Sequence, residues 1–170
     1  MFGTAEIELI AVYMPNVNQA EGSLQQQLNI SLNVEDVQQH IRQIMEDNIL
    51  AAQSQQCNII TGGDFNSNLF NNDSTKMAFL LDELHMQHSA TDLQRKQATY
   101  VRGIPNSNSC YIATRPDHIL HYGESISPKM SIVYDHSAFI NDHKPLIASF
   151  QIKNQINLHH NVLQAIKRVT

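Results

Sequence analysis

Asn58-Ile59-Ile60-Thr61-Gly62-Gly63-Asp64-Phe65-Asn66 is the stretch around which the rest of the chain falls into order. Residues 58–61 read as a short buried strand, because apolar residues side by side, without alternation, suit a strand covered on both faces. Gly62-Gly63 end that strand and let the backbone pass closely under another group. In extended geometry Asp64 and Asn66, two apart, point to one side, while Phe65 points the other way, into the core. Taken alone, the segment also fits a plain Gly-Asp turn. Its meaning depends on its neighbours.

Toward the N-terminus, residues 6–14 alternate at first and then become continuously apolar, as a buried strand does, until Pro15 stops them. Residues 16–32 are polar, contain Gly22, and read as a loop. A helix then begins, with Asn33 as its cap and Asp36 three residues on in a box-like position. Val34, Val37, Ile41, Ile44, Met45, Ile49 and Ala52 form one apolar stripe, which predicts a core-packing helix to about residue 53. Beyond the Gly-Asp segment, Met77, Leu80, Leu81 and Leu84 predict a second helix over 75–88, leaving His85 and His88 on the surface. Short strands follow at 99–101, 110–112, 118–120, 132–134 and 146–152. Residues 1–152 thus form one unit. Residues 153–170 read as a tail or linker, with a weak helix through Leu158, Val162, Leu163 and Ile166. Strands mixed with two helices on a mixed sheet predict an α/β sandwich.

Composition narrows the class. With 170 residues, 42% of them hydrophobic, the chain can bury the core of one domain. No stretch is long and apolar enough to cross a membrane, and the apolar run near the start lacks the basic lead of a secretory signal. Cys57 and Cys110 form neither a metal spacing nor a disulfide framework, which favours a reducing, intracellular setting. The net charge of −5 is not that of a general nucleic-acid binder. Its distribution is uneven. Residues 1–94 hold two basic and twelve acidic residues, a balance of −10, whereas residues 95–170 hold nine and four, a balance of +5. A basic half can face phosphates; a chance asymmetry on a solvated surface explains the same numbers.

Two further segments carry chemistry: Arg115-Pro116-Asp117-His118-Ile119-Leu120 and Asn141-Asp142-His143-Lys144-Pro145-Leu146. Asp142 is a hard oxygen donor suited to Mg²⁺ or Mn²⁺, and His143 beside it can bind or protonate a phosphoryl oxygen. Asp117 could hold the His143 imidazole in one tautomer, if the strands after the two segments are neighbours. Asp135-His136 is a weaker copy of the pair, followed by no Pro and no clean strand.

Tyr13-Met14-Pro15-Asn16, then Gly-Asp-Phe-Asn, then Arg-x-Asp-x-Ile-Leu, then Asp-His-x-Pro-Leu occur in an order that resembles the endonuclease/exonuclease/phosphatase, or deoxyribonuclease-I-like, superfamily. Thr99-Tyr100 also resembles that pattern, and the likeness spans residues 7–152. The resemblance implies part of a four-layer α/β/β/α sandwich and a metal-dependent phosphodiester hydrolase, with the retroelement endonuclease type among its candidates. By position, Asp64 resembles the carboxylate that orients or deprotonates water, and Asn66 the residue that fixes it and contacts phosphate. His143 resembles the phosphate-contacting imidazole, Asp117 its partner and Asp142 a metal-site carboxylate. Tyr13 and Asn16 match positions that contact phosphate. His118 stands where many relatives carry an aromatic residue.

Full members of that superfamily begin with a strand bearing an Asn and a second segment whose Glu is a principal metal ligand. This sequence matches only the later, C-terminal part of the pattern. The resemblance therefore implies an incomplete Mg²⁺ or Mn²⁺ site, uncovered apolar faces, and a missing N-terminal half or a partner chain to cover them. Nucleic acid is the implied ancestral substrate. Two other readings stand beside it: an inactive remnant serving as a binding module, and a small-molecule phosphatase of the same superfamily.

Overall fold

A computed structural model describes residues 5–16, 22–69, 77–90, 97–103, 111–133, 142–153 and 156–159. Within them the chain is mixed α/β, with helices packed against a mixed five-stranded sheet. The strand that opens the sheet, β1 (Ala5–Tyr13), is followed by α1 (Leu24–Leu32) and α2 (Val37–Ser54). The Gly-Asp strand is β2 (Asn58–Asp64), longer than expected because the glycines pair within it. One helical turn, α3 (Phe79–Asp82), leads to a two-residue β3 (Gln87–His88). Five strands follow: β4 (Tyr100–Gly103), β5 (Tyr111–Thr114), β6 (Asp117–Tyr122), β7 (Ile126–Val133) and β8 (Leu146–Ile152). The last is β9 (Ile156–His159).

The main sheet has the order β3-β6-β2-β1-β9. β2 runs parallel to β1 and antiparallel to β6. β1 and β2 are joined through α2, as parallel neighbours require. β4–β5 and β7–β8 are separate antiparallel pairs. The rings of His121 on β6 and Phe150 on β8, 5.7 Å apart, tie the β7–β8 pair to the main sheet.

The core lies between α2, α3 and the sheet. Ile49, Ile59, Leu80 and Leu120 have no exposure, and each such side chain contributes about 1.5–3 kcal/mol relative to an exposed one. Val37, Met45, Ile49 and Ala52 supply the buried stripe of α2, and Ile41 packs beside it. Ile44, expected in that stripe, is 36% exposed.

Four expectations need correction. Residues 24–32 are helical, not loop: Ser23 accepts from the Gln26 N–H, and the run of glutamines that reads as polar linker is a good helix former. Asn33 does not start the next helix. It closes α1 in the left-handed region (φ 54), and Asp36 caps α2 by accepting from the Gln38 and Gln39 N–H groups. The expected helix over 75–88 is one turn, because His85 adopts φ 55 and the chain then pairs with β6 as β3. Ile156–His159, expected in the tail and at the front of its weak helix, pair in parallel with β1, while Val162, Leu163 and Ile166 lie outside the described residues. Cys110, Tyr134, the Asp135-His136 pair and Asn141 lie outside the described residues.

Candidate functional site

The site begins with Gly63. Its φ is +147, and a Cβ there would lie 1.9 Å from the Val12 carbonyl oxygen. Only glycine lets β2 lie this close to β1 in this conformation. The register then sets Tyr13 and Asp117 beside Asp64 on either side. Since β1 and β2 are parallel, Tyr13 and Asp64 sit at their C-terminal ends, the edge where open α/β sheets commonly bind ligands.

Past Asp64 the chain turns sharply. Asn66 adopts φ 46, and its backbone N–H donates to Asp64 Oδ1 at 2.8 Å, an Asx-type turn. The Asn66 side-chain amide donates to the Met14 carbonyl and lies 3.5 Å from Asp64 Oδ2. Asn66 therefore ties the Asp64 carboxylate to the end of β1. Phe65 is buried, as its alternation predicted.

His143 arrives from another direction. The segment ahead of β8 adds a rung to β4: the Val101 N–H donates to the Asp142 carbonyl at 2.9 Å, and the Lys144 N–H to the Thr99 carbonyl at 2.6 Å. Tyr100 and His143 face each other in that rung, their rings edge-to-face at 4.9 Å. The Thr99 hydroxyl accepts from the Asp117 N–H at 3.2 Å, so Thr99-Tyr100 bind both partners of the imidazole contact.

That contact is direct. His143 Nδ1 lies 3.0 Å from Asp117 Oδ2 and 3.3 Å from Oδ1. An ionised carboxylate only accepts, so Nδ1 carries the proton and Nε2 faces Asp64 Oδ2, 3.9 Å away. The Asp64 and Asp117 side chains are 15% and 18% exposed, the His143 side chain 41%. Burial raises the Asp64 pKa, and the Asp117 charge adds to this; the Asn66 N–H and His143 pull the other way. A carboxylate held this way is a better proton acceptor than a solvated one.

Among the described residues, one ligand atom each from Asp64, Asp117 and His143 lies within 4.8 Å of the others, and this cluster could hold a metal ion. Two carboxylates and an imidazole suit a divalent cation. Two donors about 2.1 Å from one ion can be up to about 4.2 Å apart, so the Asp64–His143 gap fits. Asp142 is exposed and does not belong to this cluster.

Tyr13 and Asn16, both exposed, line a cleft of about 450 Å³ with Asp64, Asn66 and His143. Ser67, Asn68, Tyr100 and Arg115 also line it. None of these four is among the residues the sequence singled out for the site. Tyr100 carried a signal in the Thr99-Tyr100 pattern and Arg115 opens the Arg-x-Asp-x-Ile-Leu motif; Ser67 and Asn68 lie beside motif residues without a spacing of their own. A second groove of about 540 Å³, lined by Gln39, Arg42 and Gln43 of α2, adjoins the first through Asn66 and Ser67.

No protein-family model matches the chain, and no curated protein or solved structure matches it either.

Proposed function

We propose that this chain carries a phosphodiester-hydrolysing site of the deoxyribonuclease-I-like kind, assisted by Mg²⁺ or Mn²⁺. The observation that supports the reading most is the convergence of Asp64, Asp117 and His143, from three separate sequence segments, at one edge of the sheet. A divalent cation held by these carboxylates would stabilise charge on the phosphoryl and leaving oxygens. Asp64, raised in pKa and fixed by Asn66, takes the proton from the attacking water. His143, oriented through its Nδ1–H by Asp117, donates Nε2–H to a phosphoryl oxygen when its imidazole is protonated. Asn66 steadies the Asp64 carboxylate, and Tyr13 and Asn16 at the cleft wall contact the flanking phosphate oxygens.

Nicking of supercoiled plasmid by the 170-residue chain, with Mg²⁺ or Mn²⁺, tests this. Cutting that disappears with His143→Ala and with EDTA is the expected result. A folded chain that cuts nothing under either metal would sink the hydrolase reading and leave a binding module in its place.

A further inference from the structure

His118 follows Asp117 directly and is 1% exposed. Neighbouring side chains on a strand point to opposite faces, so Asp117 turns toward His143 and His118 turns beneath the loop after β2. There its Nε2 lies 3.0 Å from the Ser67 carbonyl and 3.3 Å from the Leu69 nitrogen. One ring nitrogen cannot donate to the first and accept from the second. The Ser67 contact is the shorter of the two, and placing the proton on Nε2 satisfies it at the expense of the Leu69 N–H. The ring also packs edge-on against Phe65, centroids 5.9 Å apart. Its backbone pairs with Gly63 across the β2–β6 ladder. The loop it holds, residues 65–69, carries Asn66, whose backbone N–H donates to Asp64 and whose side-chain amide donates to the Met14 carbonyl and lies 3.5 Å from Asp64 Oδ2.

From this we infer that His118 is a positioning residue: its Nε2–H, donated to Ser67, sets the loop that aims Asn66 at Asp64. Asp117 and His118 then act as one two-sided clasp. One side chain orients the imidazole of His143, the other the amide that steadies the opposite carboxylate. A phenylalanine or tyrosine ring fills the same space but cannot place an N–H at Ser67. The inference deepens the phosphodiesterase reading and rests on it for any effect on rate. Its structural half stands alone.

The test uses two variants of the full chain. His118→Phe keeps the ring volume and removes the donor, whereas His118→Gln returns an amide N–H to nearly the position of Nε2. By NMR on labelled protein, the wild-type imidazole is expected as the Nε2–H tautomer. The Asn66 side-chain amide signals should move in His118→Phe and return toward wild type in His118→Gln. With bis(p-nitrophenyl) phosphate as substrate, His118→Phe should lose at least about tenfold in kcat with KM within about twofold, and His118→Gln should recover most of it. Asn66 shifts without turnover in any form would uphold the clasp and overturn the hydrolase reading. A folded His118→Phe with unmoved Asn66 signals overturns the clasp, whatever the activity. If His118→Phe does not fold, an Nδ1–H tautomer in the wild type, or a folded His118→Gln with displaced Asn66 signals, overturns it as well.

Discussion

His143 Nδ1 lies 3.0 Å from the Asp117 carboxylate, although 26 residues separate them in the chain. Thr99 and Tyr100 bring them together, one bonded to Asp117 and the other packed on His143. If this contact fixes the reactive tautomer, Asp117→Asn should keep the fold and lose activity, because the amide can present its N–H to Nδ1 and reverse the proton's place. Loss of a positioned acid or base costs about 100- to 10,000-fold. Plasmid nicking should fall into that range for Asp117→Asn, while circular dichroism and the melting curve stay near wild type. Unchanged nicking would mean that the contact is structural only.

Gly63→Ala tests the geometry under the site. Its Cβ would meet the backbone of Val12, which cannot move aside as a flexible side chain would, and φ is +147. The substitution should cost more than about 2 kcal/mol, seen as a lower urea midpoint. Gly22→Ala is the control. That glycine also has positive φ, but no atom lies within 4 Å of the added Cβ, so the cost should stay near about 1 kcal/mol. Equal losses would mean that the close approach of β1 and β2 carries no weight.

The sequence made the site more legible than the frame that holds it. Asp64, Asn66, Asp117 and His143 stood in short segments flanked by glycine, proline and apolar strands, and their residue types limit the chemistry. That Asp117 meets His143 depends on the β4 rung and the β2–β6 register, which are long-range pairings that no local pattern encodes. The α1 helix was hidden because glutamines suit a helix and a loop alike. Asn33 and Asp36 both suit a cap, and only the backbone at Asn33 decides which helix each one serves. Asp142 sits beside His143 in sequence, yet the rung exposes its side chain and uses its carbonyl.

Stability should fall in mild acid through His118. Burial lowers its pKa to about 4, with the nearby Arg115 charge adding to this and the bond to Ser67 opposing it. His88, whose ring is 5.8 Å away, is the other titratable ring beside it. Proton uptake sets the sign. The unfolded chain, with an ordinary value of 6.5, binds the proton first as pH falls, so the stabilisation is complete above about 6.5 and is lost progressively down to about 4. The loss from this residue amounts to about 3 kcal/mol. Urea midpoints measured from pH 7 to pH 4 should decline in wild type and decline less in His118→Gln. Parallel declines would assign the acid limb to other groups.

Asp64→Asn separates stability from activity. Burial and the Asp117 charge disfavour the ionised form of Asp64, so at neutral pH the fold holds this charge against a cost. An asparagine removes the charge, still accepts the Asn66 N–H through its carbonyl oxygen, and fills the same space. The variant should therefore melt at or above the wild-type temperature at pH 7, and the difference should shrink in acid as the native carboxylate protonates. Nicking should be lost, and so should any stabilisation that added Mn²⁺ gives the parent chain, since one of the three converging ligands is gone. Higher stability with lost metal response is the pattern of a residue kept for chemistry. A variant that is less stable yet still stabilised by Mn²⁺ would place Asp64 among the structural residues, and the metal elsewhere.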